Sequence, residues 1–219
     1  MSQILKTDSS NPNSWENTIA KTQKVLKDGG VIAFPTDTFY GLGVDPFNKA
    51  AVEKIYQIKG RDSKKPLLLL IDPLEKLYDL VEGISEAGTK LIETFWPGPL
   101  TLLFKPKPCI PVNITKGLIG IRQPGNSLTR KLLSELTHPL TAPSANFSGE
   151  DPATTAAQVE NSLGNKIDII LDGGICKGGE PSTLVDTTQT PVQLIREGAI
   201  NFNKIQESLA DTLQTQESL

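Results

Sequence analysis

The chain has 219 residues and a net charge of -3 at neutral pH, with 37% hydrophobic and 21% charged residues. This composition is typical of a soluble globular protein and excludes a disordered or membrane-spanning chain. The sequence pI near 5.3 argues against nucleic-acid affinity over the whole surface, because such binders carry a basic excess. Any phosphate binding is therefore expected to be local.

The length fits one α/β domain with a real core. Residues 1–13 and 211–219 are polar and lack a strong period, so we expect poorly ordered ends around a single domain at 14–210. The start has no signal-peptide pattern, and we expect a cytoplasmic protein without membrane contact. Cys109, Cys176 and His138 lack the paired spacing of zinc ligands, so no metal site is predicted.

Hydrophobic spacing predicts helices interleaved with strands. A helix capped by Ser14 ends before a strand at 31–34, and a second helix begins near Asn48 and ends at Gly60. Several later connections are too short for a crossover, so we expect an α/β fold with a mixed, twisted sheet flanked by helices. The other predicted elements are strands at 67–71, 100–104, 118–122, 140–142, 167–171, 184–186 and 192–195, and helices at 84–95, 127–136 and 155–163.

A cationic turn stands out in this acidic chain. Residues 59–66 (KGRDSKKP) hold four cations and one acid, between the end of a predicted helix and an apolar strand. Such a charge run is usually a solvated surface. At the edge of a sheet it is also suited to receive phosphates.

Four further clusters place small hydroxyl, amide or cationic residues directly after apolar strands, where ligand sites of α/β proteins form. They are residues 35–43 (PTDTFYGLG), 144–149 (SANFSG), 181–186 (PSTLVD) and 196–198 (REG). Each one alone is as readily a turn or a backbone cap. Their joint presence with the cationic turn favours one shared ligand site.

Three common site types do not fit the sequence. The segment that starts at Gly41-Leu42-Gly43 has Pro46 where a dinucleotide fingerprint needs its third glycine, and no GxxxxGK[ST] phosphate loop is present. A serine hydrolase would need His138 as its base, yet no GxSxG elbow accompanies it.

In this order the five clusters resemble the YrdC/Sua5 family of threonylcarbamoyl-adenylate synthases. The resemblance spans residues 17–198 and rests on PTDTFYGLG, KGR followed by KPL, SANFSG, PSTLVD and REG, although Asp62 stands where many relatives carry proline. It implies the short, single-domain form and a nucleotidyltransferase that makes threonylcarbamoyl-AMP and pyrophosphate. The implied substrates are L-threonine, bicarbonate and ATP with Mg²⁺, and the product serves tRNA modification at adenosine 37 through a separate threonylcarbamoyl transferase complex.

The resemblance also implies residue roles. Lys59 and Arg61 would be catalytic. The implied ATP-binding residues are Lys59, Arg61, Ser63, Ser144, Asn146 and Arg196, and the implied L-threonine-binding residues are Thr36, Thr38, Arg122, Ala142 and Ser182.

Two alternatives remain open at the level of sequence. The first is an RNA-binding module or RNA maturation factor that uses Lys59, Arg61, Lys64 and Lys65 on a concave face, with weak RNA binding. The chain's low aromatic content, 5%, and its small neutral polar residues favour a small-ligand pocket over RNA binding. The second is carbamoyl transfer within a larger maturation protein.

Overall fold

The computed structural model describes residues 2–7, 12–63, 65–111, 113–115 and 117–216, with the backbone alone at 211–216. The strands are β1 Gln3–Lys6, β2 Ile32–Phe34, β3 Gly41–Gly43, β4 Leu69–Leu70, β5 Leu100–Phe104, β6 Ile119–Arg122, β7 Leu140–Thr141, β8 Ile169–Asp172, β9 Thr183–Asp186 and β10 Gln193–Arg196. The helices are α1 Pro12–Lys27, α2 Lys49–Lys59, α3 Lys76–Leu80, α4 Glu86–Phe95, α5 Ser127–Ser134, α6 Ala156–Leu163 and α7 Phe202–Gln216.

These strands form two mixed sheets. The smaller has the order β1-β8-β2-β3, and the larger has the order β10-β9-β5-β6-β4-β7. β2 is parallel to β8 and antiparallel to β3, while β5 is parallel to β9 and antiparallel to β6. The prediction of a mixed α/β fold is confirmed, with two sheets where one was expected.

The two sheets meet where β3 approaches β7. The Leu42 amide donates to the Pro143 carbonyl at 2.8 Å. The Thr141 hydroxyl donates to the Leu42 carbonyl and accepts from the Val44 amide, both at 3.1 Å. These bonds hold β3 against β7 and the loop that follows β7, so the sequence clusters at 35–43 and 144–149 lie next to each other.

β2 and β8, the two inner strands of the smaller sheet, are buried on both faces. Along β2, Ala33 packs into one hydrophobic cluster, while Ile32 and Phe34 pack into the other. Along β8, Ile170 belongs to the first cluster and Ile169 to the second. This burial on both sides explains the nearly continuous apolar runs that made these strands visible in the sequence.

α2 ends where its sequence predicted. The Asn48 side chain accepts a hydrogen bond from the Ala51 amide at 3.1 Å, which caps the start of the helix. At the other end, Gly60 adopts left-handed backbone angles (φ 58°) that a residue with a Cβ atom disfavours. The turn at Gly60 directs Arg61 away from the helix and towards the loops between the sheets.

Several predicted boundaries were wrong. β1 lies in the segment expected to be a poorly ordered end, because its backbone pairs with β8 although its side chains are mostly exposed. β3, α3 and α7 were not predicted, and the strand predicted at 67–71 pairs only over Leu69–Leu70. α7 continues to Gln216, inside the expected polar tail, while residues 217–219 lie outside the described residues.

None of the helices in the described part of the chain combines the length and the apolar character that a membrane crossing requires.

Candidate active site

A cavity of about 150 Å³ opens at the seam between the two sheets. All five sequence clusters contribute to its walls, and the cationic turn does so through Arg61 alone. The lining residues are Thr36, Thr38, Phe39, Tyr40, Gly41, Arg61, Leu68, Leu70, Arg122, Ala142, Pro143, Ser144, Pro181, Ser182 and Arg196. Segments that are far apart in the sequence thus converge at this seam. Most of them follow a strand that ends there, whereas Arg61 follows α2 and Ser182 precedes β9.

Arg122, the last residue of β6, is held by two anchors although only 3% of it is exposed. Its Nε donates to the Gly98 carbonyl at 3.0 Å, and its Nη2 donates to Oδ1 of Asp37. Burial lowers the pKa of Arg122, and the Asp37 carboxylate opposes that shift. In the described part of the chain Nη1 has no hydrogen-bond partner, so this edge of the guanidinium remains for a ligand in the cavity.

Arg61 and Arg196 supply two more cations. Arg61 Nη2 donates to the Pro66 carbonyl at 3.1 Å, and its buried Nε has no partner among the described residues. Arg196, the last residue of β10, donates from Nη2 to the Ser182 carbonyl at 2.8 Å. Burial lowers the pKa of both side chains, and Arg61 lowers that of Arg196 further. Such mutual repulsion of unpaired cations is relieved by an anionic ligand.

Neutral hydroxyl groups complete the wall. The Ser182 hydroxyl lies 2.8 Å from the Thr101 hydroxyl, so it is fixed by β5 beneath it. The Thr36 hydroxyl donates to the Phe39 carbonyl at 2.7 Å and accepts from the Thr38 amide at 3.1 Å. Thr36 therefore shapes the turn that presents Thr38, which is the role of a hydroxyl in a local turn.

Lys59 lies behind the cavity wall instead of lining it. Its ammonium donates to the carbonyls of Ser144 (2.5 Å) and Asn146 (2.7 Å) and to Oδ1 of Asn146 (3.1 Å). Burial, and secondarily Arg61, lower the pKa of Lys59 to about 8. The Asn146 amide group donates to the Glu150 carbonyl at 2.6 Å, so both side chains hold the loop that carries Ser144.

The structure thus brings most of the predicted site residues together. Ser63 is exposed and does not line the cavity, and Lys64 of the cationic turn lies outside the described residues. The binding and catalytic roles assigned to all these residues stay predictions. The predicted residues that line the cavity are Thr36, Thr38, Arg61, Arg122, Ala142, Ser144, Ser182 and Arg196.

Two residues of the first cluster were missed. Asp37 pairs with Arg122, 85 positions away in the sequence. The one sequence signal for this pair is the acidic character of Asp37 between two threonines of the cluster. The Tyr40 hydroxyl donates to the Gly174 carbonyl at 2.8 Å, and burial raises the pKa of Tyr40, so this wall residue stays protonated.

Comparison with known proteins shows which family the chain is similar to. The sequence model of the Sua5/YciO/YrdC family, described as telomere recombination, matches residues 24–198. The threonylcarbamoyl-AMP synthase of Pyrococcus abyssi is 37% identical over 188 residues, which cover 85% of this chain and 55% of the relative. The threonylcarbamoyl-AMP synthase of Bacillus subtilis is 39% identical over 191 residues, 86% of this chain and 55% of that protein.

A solved structure is also similar. The crystal structure of Pyrococcus abyssi Sua5 complexed with L-threonine superposes with a TM-score of 0.87 at 33% identity, covering 95% of this chain and 60% of the other. The chain therefore spans somewhat more than half the length of these relatives. The family's sequence model matches most of this chain, and the chain shares the fold of a solved member. The chain therefore belongs to the Sua5/YciO/YrdC family.

Proposed function

We propose that this chain is an L-threonylcarbamoyladenylate synthase. It would convert L-threonine, bicarbonate and ATP into threonylcarbamoyl-AMP, pyrophosphate and water. The names of the relatives support this activity. The observation that carries it is the cavity itself, which is lined by three arginines and several small hydroxyl groups, and in which one arginine alone, Arg122, is paired with a carboxylate among the described residues.

The size of the cavity favours an amino acid over a nucleotide as its occupant. Its volume of about 150 Å³ lies below the roughly 300–1,000 Å³ of pockets that enclose drug-sized ligands. L-threonine would fill the closed part, with its carboxylate on Nη1 of Arg122 and its polar groups near Ser182 and Thr38. Ala142 would limit the space for the side chain.

ATP would extend from the more exposed part of the cavity wall, which Arg61 and Arg196 form and which we call its mouth, because both are more exposed than Arg122. The threonine carbamate attacks the α-phosphorus through a carbamate oxygen, and the bond from that phosphorus to the pyrophosphate oxygen breaks. Negative charge builds on the phosphoryl oxygens in such a displacement, so positioned cations stabilise its transition state. Ser144 would donate its hydroxyl to a phosphate oxygen beside them.

Lys59 would act on the nucleotide chiefly through its neighbours. Its ammonium satisfies two carbonyls and one side-chain oxygen of the 144–146 loop, and a backbone bond from the Ser148 amide to the Lys59 carbonyl (2.8 Å) adds to this hold. The loop would thereby keep Ser144 in place for the phosphates. A direct contact between Lys59 and ATP would require the ammonium to exchange these partners.

Mg²⁺ would enter with ATP as part of the substrate. The described residues contain no group of three histidine, cysteine or acidic side chains that could hold a metal ion. The donors that line the cavity are arginines and hydroxyl groups, whereas Mg²⁺ prefers carboxylate and phosphate oxygens. The triphosphate itself supplies such oxygens. The product would then pass in the cytoplasm to a separate tRNA threonylcarbamoyl transferase complex.

Pyrophosphate release tests this proposal. Purified protein with ATP and Mg²⁺ should release pyrophosphate only when L-threonine and bicarbonate are both present, and more slowly with L-serine. Release that does not depend on L-threonine would contradict the proposed substrate. No release together with salt-sensitive RNA binding would favour the RNA-binding alternative.

A further inference from the structure

The cations at the cavity differ in whether a carboxylate accompanies them. Arg61, Arg122 and Arg196 line the cavity, and Lys59 lies behind its wall. Among the described residues, the single ion pair made by these cations joins Arg122 to Asp37. The charge of Arg122 is therefore compensated and that of Arg61 and Arg196 is not within the described part of the chain, and we call the corresponding parts of the cavity the Arg122 end and the Arg61–Arg196 end.

Only one of the two carboxylate oxygens of Asp37 has a hydrogen-bond partner among the described residues. Its Oδ1 accepts from Arg122, while its Oδ2 is buried without a hydrogen-bond partner among the described residues. A Cβ atom on Gly125 would lie 3.2 Å from that Oδ2, so the absent side chain at Gly125 leaves room for the carboxylate. Buried polar atoms are usually paired, and an unpaired carboxylate oxygen beside a ligand cavity requires an explanation.

We propose that Asp37 is a specificity-determining residue that reserves the Arg122 end of the cavity for a monoanionic carboxylate and directs phosphates to the Arg61–Arg196 end. This inference rests on the proposed function and deepens it. Asp37 touches no reacting atom; it acts through the guanidinium of Arg122.

Coulomb's law gives the sign of the effect. Asp37 cancels much of the attraction that the Arg122 charge would exert on a ligand, and the attraction lost is about twice as large for a phosphate dianion as for a carboxylate. At the other end, Arg61 and Arg196 form no ion pair in the described part of the chain, and their repulsion is relieved by a polyanion. A carboxylate still gains the free Nη1 edge of Arg122, because the Gly98 carbonyl and Asp37 fix the guanidinium plane.

The test uses inorganic phosphate and L-threonine as calorimetric probes of the intact chain, without turnover. In the wild-type protein, phosphate should compete with ATP and leave the affinity for L-threonine unchanged. In Asp37→Asn, which keeps an oxygen acceptor but removes the charge, phosphate should bind about tenfold more tightly and should now compete with L-threonine.

Asp72→Asn is the matched control. Asp72 is also a buried acid that accepts from an arginine, Arg130 Nε at 3.0 Å, but Arg130, unlike Arg122, does not line the cavity. It should leave phosphate and L-threonine binding unchanged, which separates a local charge effect from a loss of stability.

Three results would overturn the inference: phosphate competition with L-threonine in the wild-type protein, unchanged phosphate affinity in Asp37→Asn, or an equal gain in Asp72→Asn. The wild-type competition decides the question even if Asp37→Asn does not fold. Failure of the proposed function is separate, because it would appear as wild-type protein that binds phosphate but neither binds L-threonine nor releases pyrophosphate.

Discussion

The two ends of the cavity use the same side chain under different conditions. Arg122 is almost fully buried and clamped by the Gly98 carbonyl and Asp37, whereas Arg196 is exposed and makes its hydrogen bonds to Ser182 alone. A clamped, charge-compensated arginine presents one edge to one small ligand. An arginine without a carboxylate partner at the mouth attracts anionic ligands and does not require them to bind in one orientation. The comparison indicates that the contacts around each arginine, and not the residue type, determine which ligand it is suited to bind.

Removal of Arg122 should give the largest effect. Arg122→Ala leaves the Asp37 carboxylate buried without its partner and removes the free edge for L-threonine. Truncation of one member of a buried charge pair costs about 2–5 kcal/mol, so kcat/KM for L-threonine should fall on the order of 100-fold. The pyrophosphate assay measures it, with Arg122→Lys as the variant that keeps the charge but not the two anchors. An unchanged KM for L-threonine would remove Arg122 from the substrate site.

Removal of Arg196 should have a smaller effect of a different kind. Arg196→Ala takes away a charge-assisted donor at the mouth, and such a bond contributes about 1.5–3 kcal/mol, so KM for ATP should rise on the order of 20-fold. L-threonine affinity and the melting temperature should stay near wild type, because Arg196 is exposed. A variant that lost L-threonine binding instead would contradict the division between the two ends.

The pH dependence isolates Lys59, which supports the mouth from behind. The pKa of Lys59 is lowered from 10.5 to about 8, so the folded protein loses this proton before the unfolded chain does. The Lys59 contribution to stability should therefore rise between pH 8 and pH 10.5, where the unfolded chain binds more protons. Turnover should fall as pH rises through about 8, since a neutral amine donates to fewer of its three acceptors.

Lys59→Met provides the control for that profile. Thermal melts and pyrophosphate release across the same pH range should show neither the rise in stability nor the same fall in turnover. If the variant and the wild-type protein titrated alike, the pH dependence would belong to another group.

The turn before Arg61 should give the smallest effect. Gly60→Ala places a Cβ atom in a left-handed conformation (φ 58°), which should cost about 1 kcal/mol of unfolding free energy. A modest rise in KM for ATP should accompany it, because Arg61 is the next residue. A denaturant titration measures the first value, and an unchanged stability would show that the left-handed turn is not retained. Asn48→Ala, at the opposite end of α2, should cost a similar free energy through the lost cap and leave KM for ATP unchanged.

The sequence predicted the inner elements better than the edges. β2 and β8 were predicted because burial on both faces requires continuous apolar runs. The bounds of α2 were predicted because the Asn48 side chain and the left-handed backbone of Gly60 end the helix through local contacts. β1 gives only a weak apolar signal, since backbone pairing with β8 holds it and Leu5 alone of its side chains packs against a hydrophobic cluster. β3 was hidden by its glycines, and α7 by a polar composition.

The same limit applies to the site. Four of the five clusters converge because strand ends meet at one seam, which the order of strands and small polar residues indicated, and the cationic turn reaches it from the end of α2. The depth of each side chain was not predictable: Lys59 and Asn146 lie behind the wall because two backbone carbonyls there need a donor. Nor was the Arg122–Asp37 pair, because its members are joined only by the packing of β6 against the turn at 35–38.

The most direct measurement is mass spectrometry of the product formed from ¹³C-labelled bicarbonate, L-threonine and MgATP by the wild-type protein. The proposed function predicts threonylcarbamoyl-AMP that carries the labelled carbon and that disappears when any one substrate is omitted or Arg122 is replaced by alanine. Threonyl-AMP without the label would show that the amino-acid carboxylate attacks ATP directly, and no adenylate at all would show that the cavity does not perform this reaction.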